Sequence, residues 1–299
     1  MRLFLILLFC IGAILTKGQS TVGLQLNSAV AFDGYTLMAP TASDTTFLLD
    51  NCGHVVHTWT SIYKPGQAAY LLADGSLIRT GNVQNVDFTA GGQGGIIEKR
   101  DWTNHLTWSF LYSNSQYCTH HDIKVLPNGN IIAISWEKKA ISAVLAAGRN
   151  PAKTGTDFWS DKIIEIQPNG PSSGTIVWEW HAWDHLIQHF DSTKSNYGLI
   201  TQYPELIDLN FYNSTAADWL HANAIDYNPQ LDQIILSSHN QNEIWIIDHS
   251  TTTAEAASHA GGQCGKGGDL LYRWGNPAAY KRGGPGLKKL FGQHDAQWI

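Results

Sequence analysis

Four segments of this chain end in an apolar-aromatic strand of one spacing, and that periodicity restricts the fold more than any other feature. They are Gly53–Trp59 (GHVVHTW), Asn104–Phe110 (NHLTWSF), Gly174–Trp180 (GTIVWEW) and Gly268–Trp274 (GDLLYRW), each with a Gly or Asn six residues before the final aromatic. A short apolar strand precedes each one: Phe47–Asp50, Ile96–Glu98, Ile163–Ile166 and Ile244–Asp248. Strand, turn and strand is the pattern of a hairpin. A second pair recurs downstream. Tyr70–Ile78 (YLLADGSLI) matches Lys124–Ile132 (KVLPNGNII), and Ala224–Tyr227 with Gln233–Leu236 gives a third copy. Asp-Gly and Asn-Gly between apolar runs are strong hairpin turns. One unit therefore holds about four strands, and repeated four-stranded units predict a β-propeller. A β-sandwich is the alternative, but it does not call for an aromatic at a fixed offset.

Composition agrees with an all-β fold. The 299 residues include 28 Gly and 12 Trp, and only 15% are charged, against a typical ~25%. With 43% hydrophobic residues the chain is no disordered tail. Its formal net charge of −6 argues against a nucleic-acid binder relying on a basic face. Two inserts interrupt the period. Residues 181–218 carry stretches with helical spacing (AWDHLIQHF, then PELIDLN), and residues 249–267 form a Ser/Thr/Ala/Gly-rich loop. The last residues, Phe291–Ile299, read as the opening of a further hairpin cut before its turn. A ring must close on its last blade, so the chain is expected to be truncated at its C-terminus.

The N-terminus predicts export. Arg2 precedes an apolar run from Leu3 to Leu15 and then a small and polar stretch, Thr16–Ser20. The run is too short to span a bilayer and suits a secretory signal. Residues 1–19 are accordingly read as a signal peptide and 20–299 as the folded domain, of a periplasmic or secreted protein without a membrane span. Three cysteines then remain, Cys52, Cys118 and Cys264, with no CxxC pair to make a structural zinc site. In an oxidising compartment two of them could form a bridge, and the spacing does not say which two.

Aligning the repeats sets three histidines at one position. His121 precedes Val125 by four residues, His221 precedes Ile225 by four, and His294 precedes Trp298 by four. Each opens the first strand of its unit's second hairpin; about Gln67 is the equivalent in the first unit. Equivalent positions on successive blades converge on a propeller's central channel, so three imidazoles are expected in one funnel. His120 should point to the opposite face of its strand from His121.

Several segments carry a family resemblance: Gln116–Ile134 (QYCTHHDIKVLPNGNIIAI), Asp218–Asp248 (opening DWLHAN), Gly268–Pro277 (GDLLYRWGNP), Phe291–Ile299 (FGQHDAQWI) and Gly34–Trp59. The chain resembles the bacterial arylsulfate sulfotransferases over nearly its whole mature length. The resemblance implies a six-bladed propeller that moves a sulfuryl group between phenols through a sulfated histidine, with no nucleotide sulfate donor and no cofactor. Its partners would be an aryl sulfate and a phenol; a homodimer is left open. It implies that His294 in the QHDA segment is the nucleophile, that His121 and His221 are the two other active-site histidines, and that Asn223 is the active-site asparagine. The family's arginine falls by spacing on His239, so this chain lacks a permanent cation there; Arg273 is the alternative source of charge.

The chemistry suits these residue types. A neutral imidazole, with an ordinary pKa of ~6.5, is nucleophilic near neutrality. Imidazolium or amide donors can stabilise charge on sulfonate oxygens, and a remaining histidine can protonate the leaving phenol. Two other readings stand beside this one. Three imidazoles could hold zinc or copper, or the domain could bind a ligand without turning it over.

Overall fold

The computed structural model describes Leu24 and residues 26–299; the expected signal peptide, residues 1–19, lies outside the described residues. The chain is all-β with a few short helices. It opens with an antiparallel sheet of three strands, β1 (Thr36–Met38), β2 (Thr45–Leu49) and β3 (Val55–Thr60). Three four-stranded antiparallel meanders follow. The first holds β4 (Lys64–Leu71), β5 (Leu77–Asn82), β6 (Gly95–Arg100) and β7 (Leu106–Leu111). In the second are β8 (Tyr117–Val125), β9 (Ile131–Lys138), β10 (Trp159–Pro168) and β11 (Gly174–His181). The third, after β12 (Leu186–Ile187) and β13 (Ile207–Asp208), holds β14 (Ala222–Asn228), β15 (Gln233–Ser238), β16 (Glu243–Asp248) and β17 (Tyr272–Trp274). Each meander joins one turn-Gly hairpin to the aromatic hairpin after it, so the sequence repeat is also the structural one.

The sheets pack face to face in chain order because their strands are apolar on both sides. In β9, Ile131 and Ala133 join Ile123, Ile164 and Ile166 in a cluster with Ile78, Ile97 and Trp108 of the preceding meander. The alternate residues Ile132 and Ile134 join Ile163, Trp178 and Trp180 in a second cluster with Ile225, Ile234, Leu236 and Trp245 of the following one. Period-two alternation thus feeds two cores from one strand. Each such side chain contributes about 1.5–3 kcal/mol on burial. Indole N–H groups tie successive sheets together: Trp59 to Asp101 O, Trp108 to Ser173 O, and Trp180 to Gly268 O.

Several expectations are corrected. Residues 181–218 are not α-helical: they contain single 3₁₀ turns at Ala182–Asp184 and Ile200–Gln202, and β12 pairs in parallel with β13. Arg149 holds this insert by donating to the carbonyls of Leu209, Tyr212 and Ser214, which a regular helix would have used itself. Two short α-helices stand elsewhere, α1 (Ile141–Ala146) and α2 (Thr253–Ala256). β17 covers only the end of the Gly268–Trp274 segment, and residues 291–299 carry no strand. Cys52, Cys118 and Cys264 are all free thiols; Cys118 is buried and the other two are exposed. Among the described residues no helix is long and apolar enough to cross a membrane.

Candidate functional site

The first strands of the three meanders, β4, β8 and β14, lie side by side, and each is irregular where the repeat sets its key residue. The β4–β5 ladder shifts register between Pro65 and Ala69, and the β8–β9 ladder between Thr119 and Ile123. Gln67, His121 and His221 have φ of +85°, +51° and +51°, the left-handed region that non-glycine residues rarely adopt. This shared backbone conformation supports their equivalence and marks a strained position. In the C-terminal segment it is Asp295 that takes positive φ (+59°), one residue beyond His294.

His121, His221 and His294 come together: one ring nitrogen from each lies within 4.8 Å of the others. The His121 and His221 rings are 4.7 Å apart between centroids, and those of His121 and His294 are 6.4 Å apart. His239 joins them, 5.1 Å from His221 and 5.5 Å from His294. Its place follows from the β14–β15 hairpin, whose ladder runs on through a bond from His239 N to His221 O. His121 is buried, His221 half-buried and His294 exposed. His294 is aimed by its neighbour Gln293, whose amide donates to Ser237 Oγ, Ser238 O and Glu243 O.

Asn223 supports that same neighbour, since its Nδ2 donates to Gln293 O at 2.7 Å. Its Oδ1 is buried without a hydrogen bond. Arg273 is not brought into the cluster. It lies in β17, the last strand of its meander, paired with Glu243 and donating to the carbonyls of Pro204 and Leu206. Four of its five N–H groups are taken up by these partners, away from the histidines.

Two carboxylates behind the histidines escaped the sequence reading. Asp218 accepts from His221 Nδ1 through one oxygen and from Trp136 Nε1 and His221 N through the other. Its signal was the spacing Asp-x-x-His at the entry to a strand. Asp161, in β10, has its Oδ1 3.0 Å from His120 Nε2. No motif marks it. His120 is corrected as well: its ring does not turn away from His121, because the left-handed backbone at His121 breaks the alternation. The two Nδ1 atoms are 2.9 Å apart, and Trp136 stacks on His120 at 3.9 Å.

Burial holds His120 down at about 3. For His121 burial acts first and the neighbouring histidines second, bringing it to about 2, so it is neutral at any working pH. Burial would lower His221 too, but the hydrogen bond and charge of Asp218 outweigh it and raise the pKa. Burial, then the charge of Asp218, lifts Asp161 well above the usual carboxylate range. The site thus combines buried neutral imidazoles with one that favours its cation.

The three convergent ring nitrogens are also a donor set that a metal ion could use. A second triad, His185, His259 and Asp269, is explained by hydrogen bonds: both histidines reach Asp269 Oδ1 at 2.8 Å, and His185 also bonds Ala256 O.

The family model of the arylsulfotransferases (ASST) matches residues 25–255, and the chain belongs to that family. Comparison with curated proteins gives no match. Among solved structures the chain is similar to a protein of unknown function from Bacteroides caccae, at 8% identity and a TM-score of 0.41 over 81% of this chain. It is also similar to hydrazine synthase from Kuenenia stuttgartiensis, at 12% identity and a TM-score of 0.45 over 80%. It spans 58% of the length of each of these two chains.

Proposed function

We propose that this chain moves a sulfuryl group from a phenolic sulfate ester to a phenolic acceptor through a sulfated His294. The reading includes a β-propeller domain over residues 20–299, exported by way of residues 1–19. The observation that carries it is the convergence of His121, His221 and His294 within a chain of the arylsulfotransferase family. The meanders stacked in chain order, with their first strands adjacent, support the propeller.

In the proposed mechanism His294 attacks sulfur. Its Nδ1 lies 3.2 Å from Gly292 O, and a hydrogen donated there leaves the lone pair on Nε2. As the N–S bond forms, the ester S–O bond breaks and the phenoxide leaves with a proton from one of the remaining histidines of the cluster, which the acceptor phenol restores in the second half-reaction. His221, whose cation Asp218 favours, stabilises charge on the sulfonate oxygens, with His239 beside it. The acceptor phenol then attacks sulfur, loses its proton and frees His294. Two half-reactions on one nucleophile give ping-pong kinetics. Initial rates with a chromogenic aryl sulfate, at several concentrations of a second phenol, should give parallel double-reciprocal lines, and His294→Ala should abolish turnover. Intersecting lines would count against a covalent intermediate.

The same nitrogens favour a second reading, a three-histidine metal site. The bond from His221 Nδ1 to Asp218 is the carboxylate support common behind metal-bound imidazoles. Dialysis against a chelator separates the two. Sulfuryl transfer through His294 keeps full activity, whereas a metal enzyme loses it and regains it with added zinc or copper.

A further inference from the structure

His249, the residue after β16, lies where the second and third meanders meet and turns each ring nitrogen to a carboxylate. Nδ1 is 2.7 Å from Oδ1 of Asp232 in the β14–β15 turn, and Nε2 is 2.9 Å from Oε2 of Glu165 in β10. Both carboxylates are set up as acceptors. Asp232 Oδ1 also takes the hydroxyl hydrogen of Tyr227, and Glu165 Oε1 takes an amide hydrogen of Asn130. An imidazole that gives a hydrogen to an acceptor on each side carries two, and so a positive charge. The ring is held in place. Trp178 meets it edge-on at 4.8 Å and Tyr227 at 5.3 Å, and His249 N donates to Asp232 O. Its side chain is only 12% exposed, so the two carboxylates, more than water, support the charge.

We propose that His249 is a protonated clasp between the second and third meanders, a joint built into the fold that holds at neutral pH and opens in alkaline solution. Loss of one hydrogen to solvent turns a ring nitrogen's lone pair toward a carboxylate oxygen. Glu165 and Asp232 are then left as two like charges, neither of them paired with a Lys or Arg among the described residues. The titratable groups that face the ring are Glu165 from β10, Asp232 from the turn and Tyr227 from β14; Trp178 from β11 carries no charge. Burial, then the bond to Asp232, pushes the Tyr227 phenol up to about 12, so it stays neutral while His249 titrates. Burial would lower the His249 pKa, but the hydrogen bonds and charges of the two carboxylates outweigh it and raise the pKa above the ordinary ~6.5. The contribution to stability is therefore complete below the unfolded-state pKa and is lost as pH rises through the folded-state one. These are the two sheets whose first strands bring His121 beside His221, yet the clasp does not depend on the reaction assigned to them.

Two measurements test this. Nitrogen-15 NMR of the histidine-labelled protein should find hydrogens on both ring nitrogens of His249 at pH 7, with a titration midpoint above that of an ordinary histidine. A bare ring nitrogen at pH 7 would overturn the proposal. Asp232→Asn keeps an acceptor oxygen for Nδ1 and removes one charge, so the midpoint should fall; an unmoved midpoint would contradict an electrostatic clasp. Thermal unfolding then separates clasp from packing. His249→Gln should melt about 2–4 °C below wild type at pH 6, the shift expected when a charged contact is lost. That gap should close as pH rises past the wild-type midpoint. A gap of one size at every pH would mean that the ring only fills space, and no gap at pH 6 would mean that the contact adds nothing; either result overturns the proposal. None of these readouts uses turnover, so they stand whether or not the protein transfers sulfuryl groups.

Discussion

Burial alone would lower the pKa of His221; the hydrogen bond from its Nδ1 to Asp218 and the charge of that carboxylate outweigh it and raise the pKa. The sign for activity follows. Activity that needs the cation is present below the folded-state pKa and is lost as pH rises through it. Asp218→Asn removes the charge that chiefly opposes burial, so the alkaline limb of the kcat/KM profile should move to lower pH. An unmoved limb would mean that another group supplies the positive charge. The histidines were legible at this scale because the repeat set them in register. Asp161 was not, because a carboxylate in mid-strand has no pattern of its own and becomes chemically meaningful only when the fold buries it against His120. The face of the His120 ring was misjudged for a related reason: strict alternation assumes ordinary strand dihedrals, and His121 has φ of +51°.

Turns and strand entries show how local geometry reaches the site. Gly92 (φ +84°) and Gly129 (φ +87°) both occupy the left-handed region. Around Gly129 a Cβ would meet nothing within 4 Å, whereas at Gly92 it would overlap the His121 ring. Substitution by Ala should therefore cost about 1–2 kcal/mol of stability at Gly129 through backbone strain alone. Gly92→Ala should in addition lose about 100-fold in kcat, the effect of displacing a reacting group by about 1 Å. Denaturant midpoints and steady-state rates on the two variants check this; equal rates would mean that His121 tolerates displacement. The hairpins were readable because turn glycines and alternating apolar residues are local signals. The insert at 181–218 was not. Its apolar residues Trp183, Leu186, Ile187 and Phe190 mimic helical spacing, while side chains distant in sequence, Arg149 among them, take up its carbonyls.

For the molecule as a whole, the order of sheets follows from strands that are apolar on both faces. Each meander must be covered twice, and its neighbours in the chain supply the cover. That stacking brings β4, β8 and β14 side by side and so gathers histidines more than 170 residues apart, His121 and His294, into one group. The central claim is that this group holds a sulfuryl group covalently. Its most direct test is the intact mass of the protein after brief exposure to an aryl sulfate without acceptor, followed by peptide mapping under conditions that preserve labile, sulfamate-like N–S bonds. The account predicts a gain of one sulfuryl group, located on His294 and discharged by added phenol. Turnover without any adduct, or an adduct on a residue outside the histidine cluster, would contradict it.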